Sequence, residues 1–214
     1  MVRDGFFYAL GLGAVAGALW WFSMPAWLVA LPIVLAAFFL WFFRDPNREI
    51  PQLPGQVVSP GDGVVTEAEW IETVSGSRLR LSIFLNVFDV HVNRVPVGGV
   101  VKVCEFRKGG FMNAMKPESV LNNEQTLITI DTGEYEVSFK QIAGLLARRI
   151  VCKLKVGDRV ERGQRMGLIK FGSRVDVLIP AEANLKVKTG SRVKGGSTVL
   201  AVIPAEKLAA AKVA

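Results

Sequence analysis

Residues 170–180, KFGSRVDVLIP, alternate in the manner of a β-strand, with one polar exception on the apolar face. Every second residue from Ile169 to Ile179 is apolar except Ser173, which directly follows Gly172. The opposite face carries Lys170, Arg174 and Asp176. Because glycine weakens a strand, the presence of a Gly-Ser pair in this strand requires an explanation. A hydrogen bond from Ser173 to a neighbouring carbonyl is one explanation, and a chemical role is the other.

The chain around this strand predicts a mainly β fold. Short alternating segments, separated by Gly, Pro, Asn or Asp, fill residues 56–214 and are typical of an antiparallel sandwich or barrel-like domain. Helix is scarce in this part. Residues 110–123 predict a loop with a little helix, and residues 204–214 predict a short terminal helix.

A weak internal repeat lies in the same domain. Two segments share the spacing Gly, Arg-Val, Gly and then an apolar strand, 33 residues apart: Gly157, Arg159, Val160 and Gly163, and Gly190, Arg192, Val193 and Gly196. These glycine-turn units resemble those of biotinyl and lipoyl carrier domains. No modifiable lysine in that family's usual context is present, so we expect the architecture without a swinging cofactor.

The N-terminal region is apolar. Residues 5–43 contain no charged side chain, which is enough for two helices, and Ser23-Met24-Pro25 supplies a break near the middle. Basic residues flank the stretch on both sides: Arg3, Arg44 and Arg48. The pattern predicts a transmembrane helical hairpin over residues 1–43, a linker over 44–55 and a cytoplasmic remainder. A signal peptide, one tilted span and a re-entrant segment are the alternatives.

Charge and cysteine content narrow the function classes. The 214-residue chain has a net charge of +7, and residues 148–194 hold 13 Lys or Arg against 4 Asp or Glu. Beside a membrane anchor, this surface favours anionic lipid headgroups over nucleic acid, and an ordinary solvated surface is the alternative. Cys104 and Cys152 form no disulfide framework and no metal-ligand spacing, which suits a reducing compartment and predicts no metal site.

His91 and Asp62 are candidates for chemistry, each with a simpler explanation. In VFDVHVNRVP, Phe88, Val90 and Val92 alternate with Asp89, His91 and Asn93, so that His91 centres a polar strip. A structural histidine would explain the same pattern. Asp62 lies between two glycines in SPGDGVV, where a tight turn accounts for the spacing. A serine hydrolase triad is disfavoured, because Ser173 lacks the Gly-x-Ser-x-Gly elbow.

Four segments taken together resemble the phosphatidylserine decarboxylase family in its short, membrane-anchored bacterial form: SPGDGVV, VFDVHVNRVP, GGFMNAM with NNE, and GLIKFGSRVDVLIP. The resemblance covers residues 44–203. It implies that the chain cleaves itself between Gly172 and Ser173, after the Ser173 hydroxyl attacks the Gly172 carbonyl. Ser173 then becomes a covalent pyruvoyl cofactor, so that the precursor is a zymogen.

The resemblance also implies the reaction and its partners. A carboxy-lyase of this family converts phosphatidylserine of the cell membrane into phosphatidylethanolamine and CO2 through a Schiff base with the pyruvoyl group. His91 would transfer a proton, and Asp62 would assist self-cleavage. The two chains produced by cleavage would stay associated, a homodimer stays open, and nucleic acid is not expected.

One position departs from the family pattern. Longer members have a second histidine three residues after the first, whereas Arg94 stands here. Arg94 could instead hold a phosphate or carboxylate, and Asn113, Asn123 and Glu124 fall in a matching segment that would shape the substrate pocket. Either His91 serves both steps, or Asp62 with water or a backbone group activates Ser173. An adaptor module and a lipid-directed serine hydrolase are the alternative functions.

Overall fold

A computed structural model describes residues 3–73, 76–145, 149–169 and 172–204. The chain divides into two compact units, Met1–Asn47 and Arg48–Ala214, and the division falls inside the predicted linker. Lys170 and Phe171 of the opening stretch, and all but the first residue of the predicted terminal helix, lie outside the described residues.

The first unit is a pair of helices, α1 (Arg3–Trp21) and α2 (Ala26–Phe42). Between them Ser23 adopts a positive φ of 49°, and Pro25 occupies the N-cap of α2, so the predicted break is confirmed. The helices pack through aromatic side chains, with the Tyr8 and Phe39 rings 5.0 Å apart. Many of the other large apolar side chains are exposed, among them Phe7, Trp20, Trp21, Phe22 and Trp27.

The prediction that these helices span a membrane needs correction. In the described part of the chain no helix is both long and apolar enough to cross a bilayer. The break divides the apolar stretch into helices of 19 and 17 residues, and α1 begins with the charged Arg3 and Asp4. A spanning helix needs about 20 apolar residues, so the division explains the shortfall.

The second unit is mainly antiparallel β-structure, as predicted. Its strands are β1 (Gln56–Val58), β2 (Gly63–Thr73), β3 (Gly76–Leu85), β4 (Val92–Arg94), β5 (Gly99–Arg107), β6 (Gln125–Asp131), β7 (Glu136–Ile142), β8 (Ile150–Cys152), β9 (Arg159–Val160), β10 (Arg165–Ile169), β11 (Ser173–Pro180), β12 (Asn184–Leu185), β13 (Arg192–Val193) and β14 (Val199–Val202). The short helix α3 (Ser119–Asn122) lies in the predicted loop.

Three sheets form from these strands. The largest has the order β13-β2-β3-β11-β7-β6-β5-β9, and two three-stranded sheets have the orders β1-β14-β12 and β4-β10-β8. The core lies on the inward face of the large sheet and includes Ile83, Leu85, Ile128, Phe139 and Val175, all without solvent exposure. Burial of side chains of this size contributes about 1.5–3 kcal/mol each, which makes the inward face the main source of stability.

Strand β11 is buried on both faces, although its sequence alternates. Val175, Val177 and Ile179 enter the core as predicted. The polar residues Arg174 and Asp176 are also buried, at 2% exposure, and Arg174 Nε donates to Asp176 Oδ1, whereas Asp176 Oδ2 has no partner among the described residues. A central position between β3 and β7 explains the burial, since both edges and both faces of the strand are covered.

The internal repeat is visible in the structure at the two edges of the large sheet. Its Arg-Val pairs form β9 and β13, which pair with the first residues of β5 and β2 respectively. The glycines preceding each pair have φ values of 92° at Gly157 and 87° at Gly190. The same turn therefore closes both ends of the sheet.

Candidate functional site

Gly172 and Ser173 stand at the entry to the central strand. Gly172 has a φ of 58°, in the left-handed region that favours glycine, and Ser173 begins β11 opposite Leu85 of β3. Ser173 has no solvent exposure, and within the described residues its Oγ has no hydrogen-bond partner. The predicted inward position of Ser173 is confirmed. The alternative explanation, in which Ser173 donates a hydrogen bond to a neighbouring carbonyl, is wrong.

Gly144 packs against the carbonyl of Gly172. A Cβ atom built at Gly144 would lie 2.1 Å from Gly172 O, a separation that no side chain permits, and 3.4 Å from the Ala114 Cβ. Only glycine allows the two backbone segments to approach this closely. Sequence reasoning missed Gly144; the signal that was available is a glycine directly after the apolar end of a strand, in FKQIAG.

His91 is buried at 2% exposure and lies just before β4. Its Nδ1 is 2.9 Å from the backbone oxygen of Asp89, so Nδ1 carries a proton and donates to that carbonyl. In the neutral ring Nε2 is then the basic nitrogen. The polar strip predicted around His91 needs correction, because the strand covers only Val92–Arg94 and the preceding residues form a turn that leaves Phe88 exposed while Asp89 is buried.

Asp62 is held by three hydrogen bonds. Arg48 Nη2 lies 2.7 Å and 3.0 Å from its two carboxylate oxygens, and the Gly195 amide donates to Oδ1 at 2.8 Å. These bonds join the start of the second unit to the turn before β2 and to the second copy of the repeat. Since the Ser173 hydroxyl has no partner in the described part of the chain, neither Asp62 nor His91 is hydrogen-bonded to it.

Arg94 is buried at 7% exposure, deep beside the glycine turns of the repeat. Its Nη1 donates to the Gly163 carbonyl at 3.1 Å, and its Cδ would lie 2.8 Å from a Cβ atom at Gly196. The backbone amide of Arg94 donates to Pro60 O at 2.8 Å, next to the turn that carries Asp62. The structure therefore brings Arg94 next to three sequence motifs, namely the two copies of the repeat, which contain Gly163 and Gly196, and SPGDGVV, which contains Pro60.

The loop before β6 is fixed to the site by Asn123. This buried side chain donates to Ala143 O at 2.6 Å and to Met112 O at 2.8 Å, and it accepts from the Met112 amide at 2.9 Å. Glu124 contributes through its backbone, because its carbonyl accepts from the Ala143 amide at 2.9 Å. Asn123 and Glu124 thus hold the segment that meets Gly172, whereas Asn113 is exposed and caps a turn at Met115.

Two further groups of polar residues were assigned no functional or structural role from the sequence. Asn93 of β4 and Gln141 of β7 are both fully buried and are joined by a 2.8 Å hydrogen bond from Gln141 Nε2 to Asn93 Oδ1. On the other face of β11, Arg174 donates to Asp176, Glu67 and Ser82. No periodicity distinguishes buried from exposed polar residues, so the sequence carried no signal for either group.

The cysteines lie away from these residues. The Sγ atoms of Cys104 and Cys152 are 3.9 Å apart, and Cys104 Sγ donates to Leu154 O at 3.2 Å. Burial, and then the neighbouring Cys152, raise the pKa of Cys104 to about 11. A thiol with such a pKa is a poor nucleophile at neutral pH. In the described ranges no three His, Cys, Asp or Glu side chains gather into a metal-binding group.

A cleft of about 560 Å³ opens elsewhere on the β unit, lined by residues that include Gln52, Tyr135 and Arg162. None of the residues of the Gly172–Ser173 site lines this cleft. The position of this cleft therefore does not coincide with Gly172 and Ser173.

Comparisons with known proteins agree with the motifs. The family model for phosphatidylserine decarboxylase matches residues 35–201. A phosphatidylserine decarboxylase proenzyme from Solibacter usitatus is 48% identical over 202 residues, which cover 94% of this chain and 96% of the relative. A proenzyme of the same name from Nitrosomonas eutropha is 42% identical over 203 residues, covering 94% and 90%. The chain therefore belongs to the phosphatidylserine decarboxylase family and is an enzyme of the carboxy-lyase class.

Proposed function

We propose that this chain decarboxylates phosphatidylserine to phosphatidylethanolamine and CO2, with a pyruvoyl group that it makes by cutting itself between Gly172 and Ser173. The relatives are named proenzymes, which supports a processed precursor. The observation that carries the proposal is the Ser173 hydroxyl, which is fully buried and has no partner in the described structure. A buried hydroxyl without a hydrogen bond costs stability, so its retention calls for a chemical reason.

Self-cleavage needs the Ser173 Oγ to attack the Gly172 carbonyl carbon. The amide C–N bond then breaks, and an ester C–O bond replaces it. Removal of the α-proton of residue 173 expels the ester as the Gly172 carboxylate and leaves a dehydroalanine, which takes up water and loses ammonia to give the ketone. Gly172 suits this step because no side chain obstructs the attack.

The position of the Gly172 carbonyl is controlled by close packing. Gly144 lies directly against Gly172 O, and Asn123 holds the adjoining Ala143. The carbonyl is therefore held by the backbone of Gly144 on one side. Holding the reacting groups in place can remove a large part of the barrier to such a reaction.

The two chains made by cleavage are expected to remain one body. Strand β11 pairs with β3 from Ser173 opposite Leu85 to Pro180 opposite Arg78, and with β7 from Arg174 opposite Ile142 to Leu178 opposite Ser138. Cutting before Ser173 removes none of these pairs. The new N-terminus would therefore stay at the end of the central strand, inside the protein.

A pyruvoyl group at residue 173 would supply a ketone that condenses with the substrate amine and accepts the electron pair left by CO2. The residues present fit this group, since Ser173 offers the precursor and has no solvent exposure. His91 is proposed to carry the proton that replaces CO2, using Nε2 while Asp89 O holds Nδ1. Arg94 is the candidate for the anionic part of the substrate, because guanidinium binds carboxylate and phosphate.

We also propose that the enzyme works at the cell membrane of a bacterium, with the second unit on the cytoplasmic side. The substrate is a lipid, and the helices of the first unit expose large aromatic side chains such as Trp20, Trp21 and Trp27 that suit a bilayer interface. Both cysteines are free thiols, in keeping with a reducing compartment. Flotation of the full chain with phosphatidylglycerol vesicles tests the association, and protein that stays at the bottom of the gradient contradicts it.

The deciding experiment is the intact mass of the purified full chain under denaturing conditions, beside Ser173→Ala and Ser82→Ala. Ser82 is the matched control, because it is also fully buried but lies on the opposite face of the sheet. We expect wild type and Ser82→Ala to divide into residues 1–172 and a pyruvoyl-blocked 173–214, and Ser173→Ala to stay whole. Release of CO2 from phosphatidylserine should follow cleavage, and folded wild type that stays whole would overturn the proposal.

A further inference from the structure

Asn93 and Gln141 form a buried amide pair for which the chemistry described so far has no use. Both side chains have no solvent exposure, and Gln141 Nε2 donates to Asn93 Oδ1 at 2.8 Å. Two atoms of the pair are left over: Asn93 Nδ2 and Gln141 Oε1 have no partner in the described part of the chain. The pair thus presents an amide nitrogen, Asn93 Nδ2, and a carbonyl oxygen, Gln141 Oε1, without hydrogen-bond partners in the protein interior.

Strand register places this pair next to Ser173. Gln141 of β7 lies opposite Val175 of β11, and paired residues in neighbouring strands point to the same face. Ser173 shares that face with Val175, because residues two apart in a strand do so. Gln141 is therefore a diagonal neighbour of Ser173, about 7–8 Å between backbones, which a long side chain can bridge.

Asn93, which belongs to the sheet β4-β10-β8, also lies near the strand partner of Ser173. A Cβ atom at Gly61 would lie 3.3 Å from Asn93 Nδ2 and 3.3 Å from Leu85 Cδ2, so the amide nitrogen is beside the Leu85 side chain. Leu85 is the strand partner of Ser173. The leftover donor and the unpartnered hydroxyl therefore belong to one pocket of the core.

The three unsatisfied groups are complementary. A serine hydroxyl donates one hydrogen bond and accepts others, while the amide pair offers Asn93 Nδ2 as a donor and Gln141 Oε1 as an acceptor. Each buried group without a partner costs about 1–3 kcal/mol, so three of them in one pocket are expensive to keep. An arrangement of this kind is expected where the groups meet only as the reaction proceeds.

We propose that the Asn93–Gln141 pair receives the Ser173 hydroxyl during self-cleavage, with Asn93 Nδ2 donating to Oγ and Gln141 fixing the orientation of the Asn93 amide. This inference rests on the proposed function, since it assigns a further catalytic group to the cleavage step. Negative charge develops on Oγ as its proton leaves for attack, and again when Oγ departs as an oxygen of the Gly172 carboxylate. A preorganised N–H donor stabilises that charge in both steps.

The test follows the rate of cleavage of the full chain made by cell-free translation, with the cut fraction measured by mass at set times. Asn93→Asp keeps the shape but replaces the donor by a carboxylate, and Gln141→Glu removes the donor that orients Asn93. Gln164→Glu is the matched amide-to-acid control, because its exposed side-chain oxygen accepts from the Glu161 amide and would still do so. We expect about a 100-fold slower cleavage for Asn93→Asp, a smaller slowing for Gln141→Glu and no change for Gln164→Glu.

The pH dependence separates a donor from a structural residue. A buried carboxyl at position 93 can donate only when it is protonated, so the ratio of the Asn93→Asp rate to the wild-type rate should rise as pH falls. Asn93→Ser, which restores a small donor, should cleave faster than Asn93→Ala. Folding of every variant is checked by circular dichroism.

The outcomes distinguish this inference from the function on which it rests. Wild type that does not cleave overturns the proposed function itself. Wild type that cleaves together with folded Asn93→Asp and Asn93→Ala variants that cleave equally fast overturns only the role of the amide pair. A slowing that is identical at every pH and in Asn93→Ser also overturns it, because it indicates a structural effect.

Discussion

Two consecutive polar residues, Ser173 and Arg174, lie on opposite faces of strand β11 and differ in whether they have hydrogen-bond partners in the described chain. On one face Arg174 is buried at 2% exposure, and its guanidinium donates to Asp176, Glu67 and Ser82. On the other face Ser173 is equally buried, but its Oγ has no partner among the described residues. Ser173, whose hydroxyl has no partner in the described ranges, is therefore directly followed by Arg174, whose guanidinium nitrogens all donate hydrogen bonds.

The difference shows that burial together with hydrogen bonding distinguishes a structural residue from a candidate for chemistry. Burial alone lowers the pKa of the Arg174 guanidinium, yet the bonds to Asp176 and Glu67 outweigh that effect and leave the pKa raised. The charge is thus stabilised, as a structural ion pair requires. Ser173 has no such compensation, which is the state expected of a group that is consumed in a reaction.

The largest expected effect comes from removing the unsatisfied group. Ser173→Ala should abolish cleavage completely, because no hydroxyl remains to attack. Its free energy of unfolding should be within about 1 kcal/mol of that of the uncut precursor, since no hydrogen bond is lost. Urea unfolding followed by circular dichroism measures the stability. A loss above about 3 kcal/mol would show that Ser173 is a structural residue after all.

Gly144→Ala tests the packing that orients the Gly172 carbonyl. A Cβ atom 2.1 Å from Gly172 O must push the two segments apart, and misplacement by about 1 Å can cost about 100-fold in rate. Cleavage should slow by about that factor in a time course of intact masses. Gly98→Ala is the control, because its Cβ would meet nothing closer than 3.4 Å. Equal rates for the two variants would remove Gly144 from the site.

Arg174→Met examines the satisfied face. The change leaves Asp176 without its buried cation and Glu67 with Arg80 as its remaining cationic partner, and breaking a buried pair costs about 3–5 kcal/mol. The free energy of unfolding should fall by that amount, while the folded fraction still cleaves. Full loss of cleavage in a folded Arg174→Met protein would contradict the separation of roles between the faces.

The smallest effect is expected from Glu67→Gln. Glu67 is 30% exposed, and Arg174 keeps Asp176 and Ser82 when the Glu67 charge is removed. Stability should fall by about 1 kcal/mol, with cleavage unchanged. A loss as large as that of Arg174→Met would mean that Glu67 is the principal partner of the guanidinium.

Much of the fold was predictable because it depends on local pattern. Alternation and turn residues predicted an antiparallel β domain, and the repeat around Gly157 and Gly190 appears as matching edge strands. The apolar stretch predicted two helices, and the break near Pro25 divides it so that neither described helix is long and apolar enough to cross a membrane. Helix length depends on where a turn falls, which hydropathy alone does not decide.

The candidate site was predictable only in part. Gly172, Ser173, His91 and Asp62 were named as candidates from family motifs, whereas Gly144, Asn93 and Gln141 were not assigned a role. Gly144 matters because another backbone segment approaches it, and Gln141 because strand pairing turns it toward Ser173. Such contacts join residues far apart in the chain and have no periodicity.

By itself, the sequence determined the chemical groups available and the strand that carries Ser173, because side-chain identity and period-two alternation are local properties. Only the tertiary structure decided which buried groups find partners. Asp62 accepts hydrogen bonds from Arg48 and Gly195, and Arg174 donates to its carboxylates, while the Ser173 hydroxyl, Asn93 Nδ2 and Gln141 Oε1 have no partner among the described residues. The physical reason is that hydrogen-bond satisfaction in a closed core depends on packing across strands, which no single segment contains.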